Sequence, residues 1–141
     1  MFPLRDTIPS RSFPIVTLFL IVTNSIIFVY ELFLGPALDQ FLNTFGVIPA
    51  FYSQAMQENP LQVIPGIFPI FASIFLHGGW MHVISNMWFL WIFGDNVEDR
   101  TGHLRFLLFY LLCGVLATLA HIIANPLSAV PTIGASGAIS G

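Results

Sequence analysis

From Ile15 to Leu34 the chain runs for twenty residues, IVTLFLIVTNSIIFVYELFL, with Glu31 as its one formal charge. As a helix this segment measures about 30 Å, the thickness of a bilayer's hydrocarbon core. Lipid offers the backbone no hydrogen-bond partner, so a segment of this kind must be helical. A secretory signal peptide is the competing reading, but the run is too long for one and no small-x-small cleavage site follows Leu34. Two more runs make the same demand. Ile67 to Phe93 has no formal charge yet holds His77, His82, Asn86 and the pair Gly78-Gly79, which predicts a break near Gly78. Phe106 to Ala124, bounded by Arg105 and Asn125-Pro126, is long enough to span.

These runs predict an all-α, polytopic transmembrane helix bundle in one domain, residues 1–141, with three spanning helices and the start of a fourth. The helices are expected at about 15–34, 80–93, 104–124 and, for the fourth, 135–141. Residues 35–79 form an outer connection, and Phe41, Phe45, Val47, Ile48, Phe51 and Tyr52 make its first half too apolar for a solvated loop. Part of it is expected in the membrane interface. With 56% hydrophobic and 8% charged residues, the composition falls outside that of a soluble globule.

Orientation follows from four basic residues. Arg5 and Arg11 precede the first helix and Arg100 and Arg105 join the second to the third, whereas 35–66 and 125–133 contain no Lys or Arg. Positive charge is retained on the cytoplasmic side, so the N-terminus is expected inside and His77 to Asn86, with Ser136, at the outer ends of their helices. The lipid bilayer is one partner. A net charge of −3 without a basic run or phosphate-cradling loop excludes nucleic acid. Cys113 stands alone as apolar filling, and without HExxH or clustered outer acids neither a metal nor another cofactor is expected. His103 is read as a solvated residue of the inner turn, and His121 as interfacial or bundle-facing at the outer end of the third helix.

His82 and Asn86 are four apart, which stacks both side chains on one helical face. That face points into the bundle, either as interhelical glue or as a site. Near the end of the chain, Gly137 and Gly141 form a GxxxG and Gly134 and Ala138 a small-xxx-small pair, the usual surface for close helix contact in lipid. Ser136 between small neighbours has a second reading as a nucleophile that a substrate backbone can approach. Both readings stay open together.

In order, spacing and topology, "HGGWMHVISNM", "FGDNVEDRTGHLRFLLFYLLCGV" and "PTIGASGAISG" resemble the rhomboid family of intramembrane serine proteases. The N-terminal "PLRD" is similar to many prokaryotic members, so the likeness covers essentially the whole chain and implies a prokaryotic cell membrane. It implies that Ser136 in Gly134-Ala135-Ser136-Gly137 is the nucleophile, and that His82, Asn86 and the Ser136 N–H form the oxyanion hole. His77, Gly134 and Gly137 shape the site, while Glu98 and Arg100 bond structurally in the inner turn. The family's base is a histidine on its sixth helix, so the chain reads as an N-terminal portion and is expected to be inactive alone. The loop before His77 lacks the Trp-Arg pair of some bacterial members. The implied function is cleavage of transmembrane segments of single-pass proteins through a Ser/His dyad and an acyl-enzyme. Alternatives are an inactive rhomboid-like protein that binds membrane clients, or a small helical scaffold. Oligomeric state is not legible.

Overall fold

The computed structural model describes residues 12–141. Arg5 and Arg11, on which half of the orientation argument rests, lie outside the described residues. Among the described residues seven helices follow in order: α1 (Ile15–Phe33), α2 (Leu38–Phe45), α3 (Pro49–Glu58), α4 (Ile67–Ala72), α5 (Trp80–Thr101), α6 (His103–Ala124) and α7 (Ser136–Ile139). Short 3₁₀ turns at Gly35–Ala37, Pro60–Gly66 and Ser73–Phe75 link them, and the described residues contain no strand.

Two of these helices, α1 and α6, are long and apolar enough to cross a bilayer. A third crossing is made if Pro60–Phe75 and Trp80–Thr101, which meet at 78°, count as one broken span. The bend falls where Gly78-Gly79 predicted it.

The helices bury a few polar side chains among apolar ones and expose large apolar side chains outward. α1 buries Thr17, Leu20, Asn24, Phe28 and Glu31, one face at helical spacing. Its other faces expose Phe19, Val22, Ile26 and Phe33, the side chains that lipid would meet. α6 buries Phe106, Tyr110, Gly114 and Thr118, each four apart, and exposes Leu108, Leu112, Leu116 and Ile123. Leu20, Ile74, Leu90, Phe106, Tyr110, Ala135 and Ala138 close the central core, and α7 packs against α6, α5 and the Ser73–Phe75 turn.

α5 continues to Thr101, well past the expected end at Phe93. The sequence places the membrane boundary near Phe93, but a helix need not stop where the hydrocarbon does. Here the added two turns carry Glu98 to the N-terminus of α1. Its carboxylate accepts the Val16 and Thr17 N–H groups at 2.8 Å each and the Thr17 hydroxyl at 2.7 Å. Those amides have no partner inside α1, and a negative charge at a helix N-terminus is favourable. Thus the structural hydrogen bonding implied for Glu98 is observed. Gly102, at φ +84°, ends α5 in a conformation that side chains rarely adopt and lets α6 start at once. His103 is half exposed, in keeping with its solvated reading, and in addition its Nδ1 pairs with Glu98 Oε1.

The connection between α1 and α5 has a shape that the sequence did not reveal. α2 and α3 meet at Gly46 to Ile48, where Val47 and Thr132 exchange backbone hydrogen bonds of 3.1 and 2.7 Å. The Ala50 N–H reaches the Ser128 carbonyl at 3.0 Å. Tyr52 donates its hydroxyl to the Gly66 carbonyl at 2.6 Å, and burial raises its pKa above the ordinary value, keeping it a donor. The connection is thereby tied to the strand-like segment that leads into Gly134.

Candidate active site

Three side chains converge at the break between α4 and α5. His77, 1% exposed, follows the last 3₁₀ turn; His82 and Asn86 occupy the first two turns of α5. The His77 and His82 rings meet edge to face with centroids 5.1 Å apart. Asn86 Nδ2 lies 3.0 Å from His77 Nε2. An amide nitrogen can only donate, so His77 accepts through Nε2 and carries its proton on Nδ1. One Asn86 N–H remains for another acceptor.

The Ser136 segment is brought to this group by Gly134. Its φ of +119° is open to glycine and strained for other residues, and a Cβ there would overlap His82 Nε2 and Cε1. Its N–H donates to the Ser73 carbonyl at 2.8 Å. Ala135 is fully buried, and Ser136 then opens α7 with its side chain exposed. Among the described residues no hydrogen bond joins Ser136 to His82 or Asn86, so packing and backbone geometry place it.

The small residues of α7 do serve as a packing face. A Cβ on Gly137 would come 2.6 Å from Ala117 Cβ, and one on Gly141 would overlap Cys113 Sγ. Gly114 gives room on the α6 side, where a Cβ would stand 3.2 Å from Ala138 Cβ. The GxxxG reading and the exposed serine therefore occupy different sides of one short helix. Cys113 is the filling it was read as, packed under Gly141.

Two participants escaped the sequence reading. Glu31 is 1% exposed, and its two carboxylate oxygens lie 3.1 and 3.2 Å from the His77 N–H. Ser73 supplies the carbonyl that holds Gly134. Glu31 had one visible signal, its position as the sole charge of the first apolar run; Ser73 had none, since its contribution is backbone. Among the described residues no group of three or more His, Cys, Asp or Glu side chains could hold a metal ion.

A family profile described as Rhomboid domain matches residues 65–141, more than half of the chain. The chain belongs to the rhomboid family. The matched region contains the His77, His82 and Asn86 group together with Ser136, and the 78° break lies inside it. Among its rhomboid relatives, Rhomboid-like protein 11, chloroplastic, of Arabidopsis thaliana is 40% identical over 55% of this chain. Rhomboid-like protease 5 of Toxoplasma gondii is 35% identical over 62%, and rhomboid protease GluP of Bacillus subtilis 38% identical over 60%. The matches span 27%, 10% and 16% of those proteins' own lengths. No solved structure matches the chain. Family and apolar helices together make this rhomboid an integral, multi-pass membrane protein with an all-α bundle.

Proposed function

We propose that the chain carries the nucleophile and the oxyanion donors of an intramembrane serine endopeptidase. Ser136 attacks the scissile carbonyl. Its proton passes to a histidine supplied by a helix outside these 141 residues, as the family resemblance implies, and an acyl-enzyme forms that water then hydrolyses. The Asn86 amide, His82 and the Ser136 N–H stabilise the oxyanion. The observation that carries this reading is Gly134: its positive φ and its contact with the His82 ring bring the GxSG segment against the His82 and Asn86 face.

The substrate class is a transmembrane segment of a single-pass protein. A peptide bond within a helix is closed to attack, so the segment must unwind near its outer end before Ser136 can reach it. A polar group cluster at a broken span supplies a wet place for that to happen inside lipid. A fluorophosphonate probe provides the test: it labels the complete protein at Ser136 and leaves the isolated 141-residue chain essentially unlabelled. Equal labelling of both, or labelling at another residue, removes the assigned nucleophile or its need for an outside base.

The same reading places the N-terminus in the cytoplasm and opens the site to the outer side, in a prokaryotic cell membrane. Gln57 in α3 and His103 at the start of α6 are both exposed and lie at opposite ends of the spans. In a background lacking Cys113, a cysteine at position 57 reacts with an impermeant thiol reagent added outside, and one at position 103 does not. The reverse pattern inverts the topology.

A further inference from the structure

At the broken span the chain leaves one helix before entering the next, and amides there have lost their helical acceptors. The Leu76 N–H still reaches the Ser73 carbonyl at 3.3 Å, a long bond that closes the 3₁₀ turn. The next amide, that of His77, is met by a side chain from another helix: both oxygens of Glu31, on α1, at 3.1 and 3.2 Å. Both residues are 1% exposed. Beyond it the His77 ring accepts from Asn86 Nδ2 at 3.0 Å. A continuous line of contacts therefore runs from α1 through the break to the amide proposed to face the oxyanion.

We infer that Glu31 is a positioning residue for the oxyanion hole: it fixes the His77 backbone, and the His77 ring then sets the direction of the Asn86 amide. The inference rests on the active-site reading above. Its physical basis is that an oxyanion donor works only when its N–H is already aimed, since alignment during reaction would consume the stabilisation it offers. Asn86 can rotate about its terminal bond. Acceptance of one of its two N–H groups by a ring nitrogen stops that rotation and leaves the other pointing in a fixed direction. The ring can serve as a stop only if its own backbone is held, and at a break in lipid no helix holds it. Glu31 does so from outside the span.

The length of the side chain matters more than its charge. Glutamine keeps an acceptor oxygen at the same reach; aspartate is one methylene short; leucine fills the volume and accepts nothing.

The experiment uses the complete protein, reconstituted with a transmembrane substrate, and reports turnover per folded molecule. Glu31→Leu and Glu31→Asp lower kcat by on the order of 10-fold to 100-fold with little change in KM, the scale of a misplaced catalytic group. Glu31→Gln restores most of the loss. In an Asn86→Ala background, Glu31→Leu costs much less than it does in the wild type, because the donor it aims is gone. A merely structural role gives equal losses in both backgrounds, and that result overturns the inference, as does wild-type turnover in the Leu and Asp variants. Where Glu31→Leu does not fold, Glu31→Asp carries the same comparison. Ser136→Ala in parallel separates the two levels: cleavage that survives it removes the active-site reading itself, whereas additive Glu31 losses with a dead Ser136→Ala remove only the role of Glu31.

Discussion

Ser136→Ala in the complete protein abolishes cleavage of a transmembrane substrate, and Ser140→Ala leaves most of it. The two serines make a matched pair. Both sit on α7 or its final turn, both are exposed, and each substitution removes one hydroxyl. Ser140 donates its hydroxyl to the Ser136 carbonyl at 2.7 Å, so its loss costs α7 about 1 kcal/mol of stability and nothing in the chemistry. Loss of a serine nucleophile instead removes the covalent path, an effect on the order of a millionfold in turnover. Cleavage of a single-pass fusion in liposomes, followed on gels, resolves the difference without kinetics. Equal losses from both variants would mean that α7 acts through packing alone and that Ser136 is not the nucleophile.

Asn86→Ala lowers the cleavage rate by about a hundredfold to a thousandfold, or roughly 2.7 to 4 kcal/mol of transition-state stabilisation. The thermal midpoint moves little. Asn86 is 7% exposed, and its visible partner is His77 Nε2 at 3.0 Å. Breaking one interhelical or intrabundle bond of this kind in lipid costs on the order of 0.6 kcal/mol. A rate loss far larger than the stability loss separates oxyanion stabilisation from glue. His82→Ala follows the same direction, and the double variant loses less than the sum of the singles because both groups act on one developing charge. A variant that unfolds readily yet keeps near-normal turnover per folded molecule makes this face structural and takes the oxyanion assignment with it.

The spanning segments were legible because lipid leaves few options. Twenty apolar residues must be a helix, and α1 and α6 end within a residue or two of where the sequence placed them. Gly78-Gly79 announced the break, since two adjacent glycines between apolar runs interrupt a helix that lipid otherwise enforces. The His82 and Asn86 face was legible from spacing. What was not legible depends on contacts between distant segments. α5 passes Phe93 because Glu98 has a target on α1, some eighty positions earlier in the chain. The connection between α1 and α5 takes its path from the Val47 and Thr132 bridge and from Tyr52 reaching Gly66, neither of which leaves a local pattern. Gly134 looked like one small residue among several; its positive φ and its contact with His82 separate it from Gly137 and Gly141, which face α6. Glu31 was visible as an oddity, but its use required knowing where the His77 amide would be.

Thr17, Asn24 and Glu31 stand seven residues apart on the buried face of α1. Asn24 uses its amide nitrogen within its own helix, donating to the Leu20 carbonyl at 2.7 Å. Thr17 and Glu31 are satisfied elsewhere, by Glu98 near the end of α5 and by the His77 N–H just before it begins. These two ties lie about 21 Å apart along α1, at 1.5 Å per residue. They act as a ruler. Apolar surfaces in lipid slide over one another with little penalty, and ridge-and-groove packing alone would accept a shift of one turn, about 5.4 Å. Such a slip here strands a carboxylate at each end of the pair at the same time, once on α1 and once on α5. The vertical alignment of α1 with α5 is thus set by two opposed carboxylates, Glu98 accepting from backbone N–H groups at the start of α1 and Glu31 from the His77 N–H just before α5.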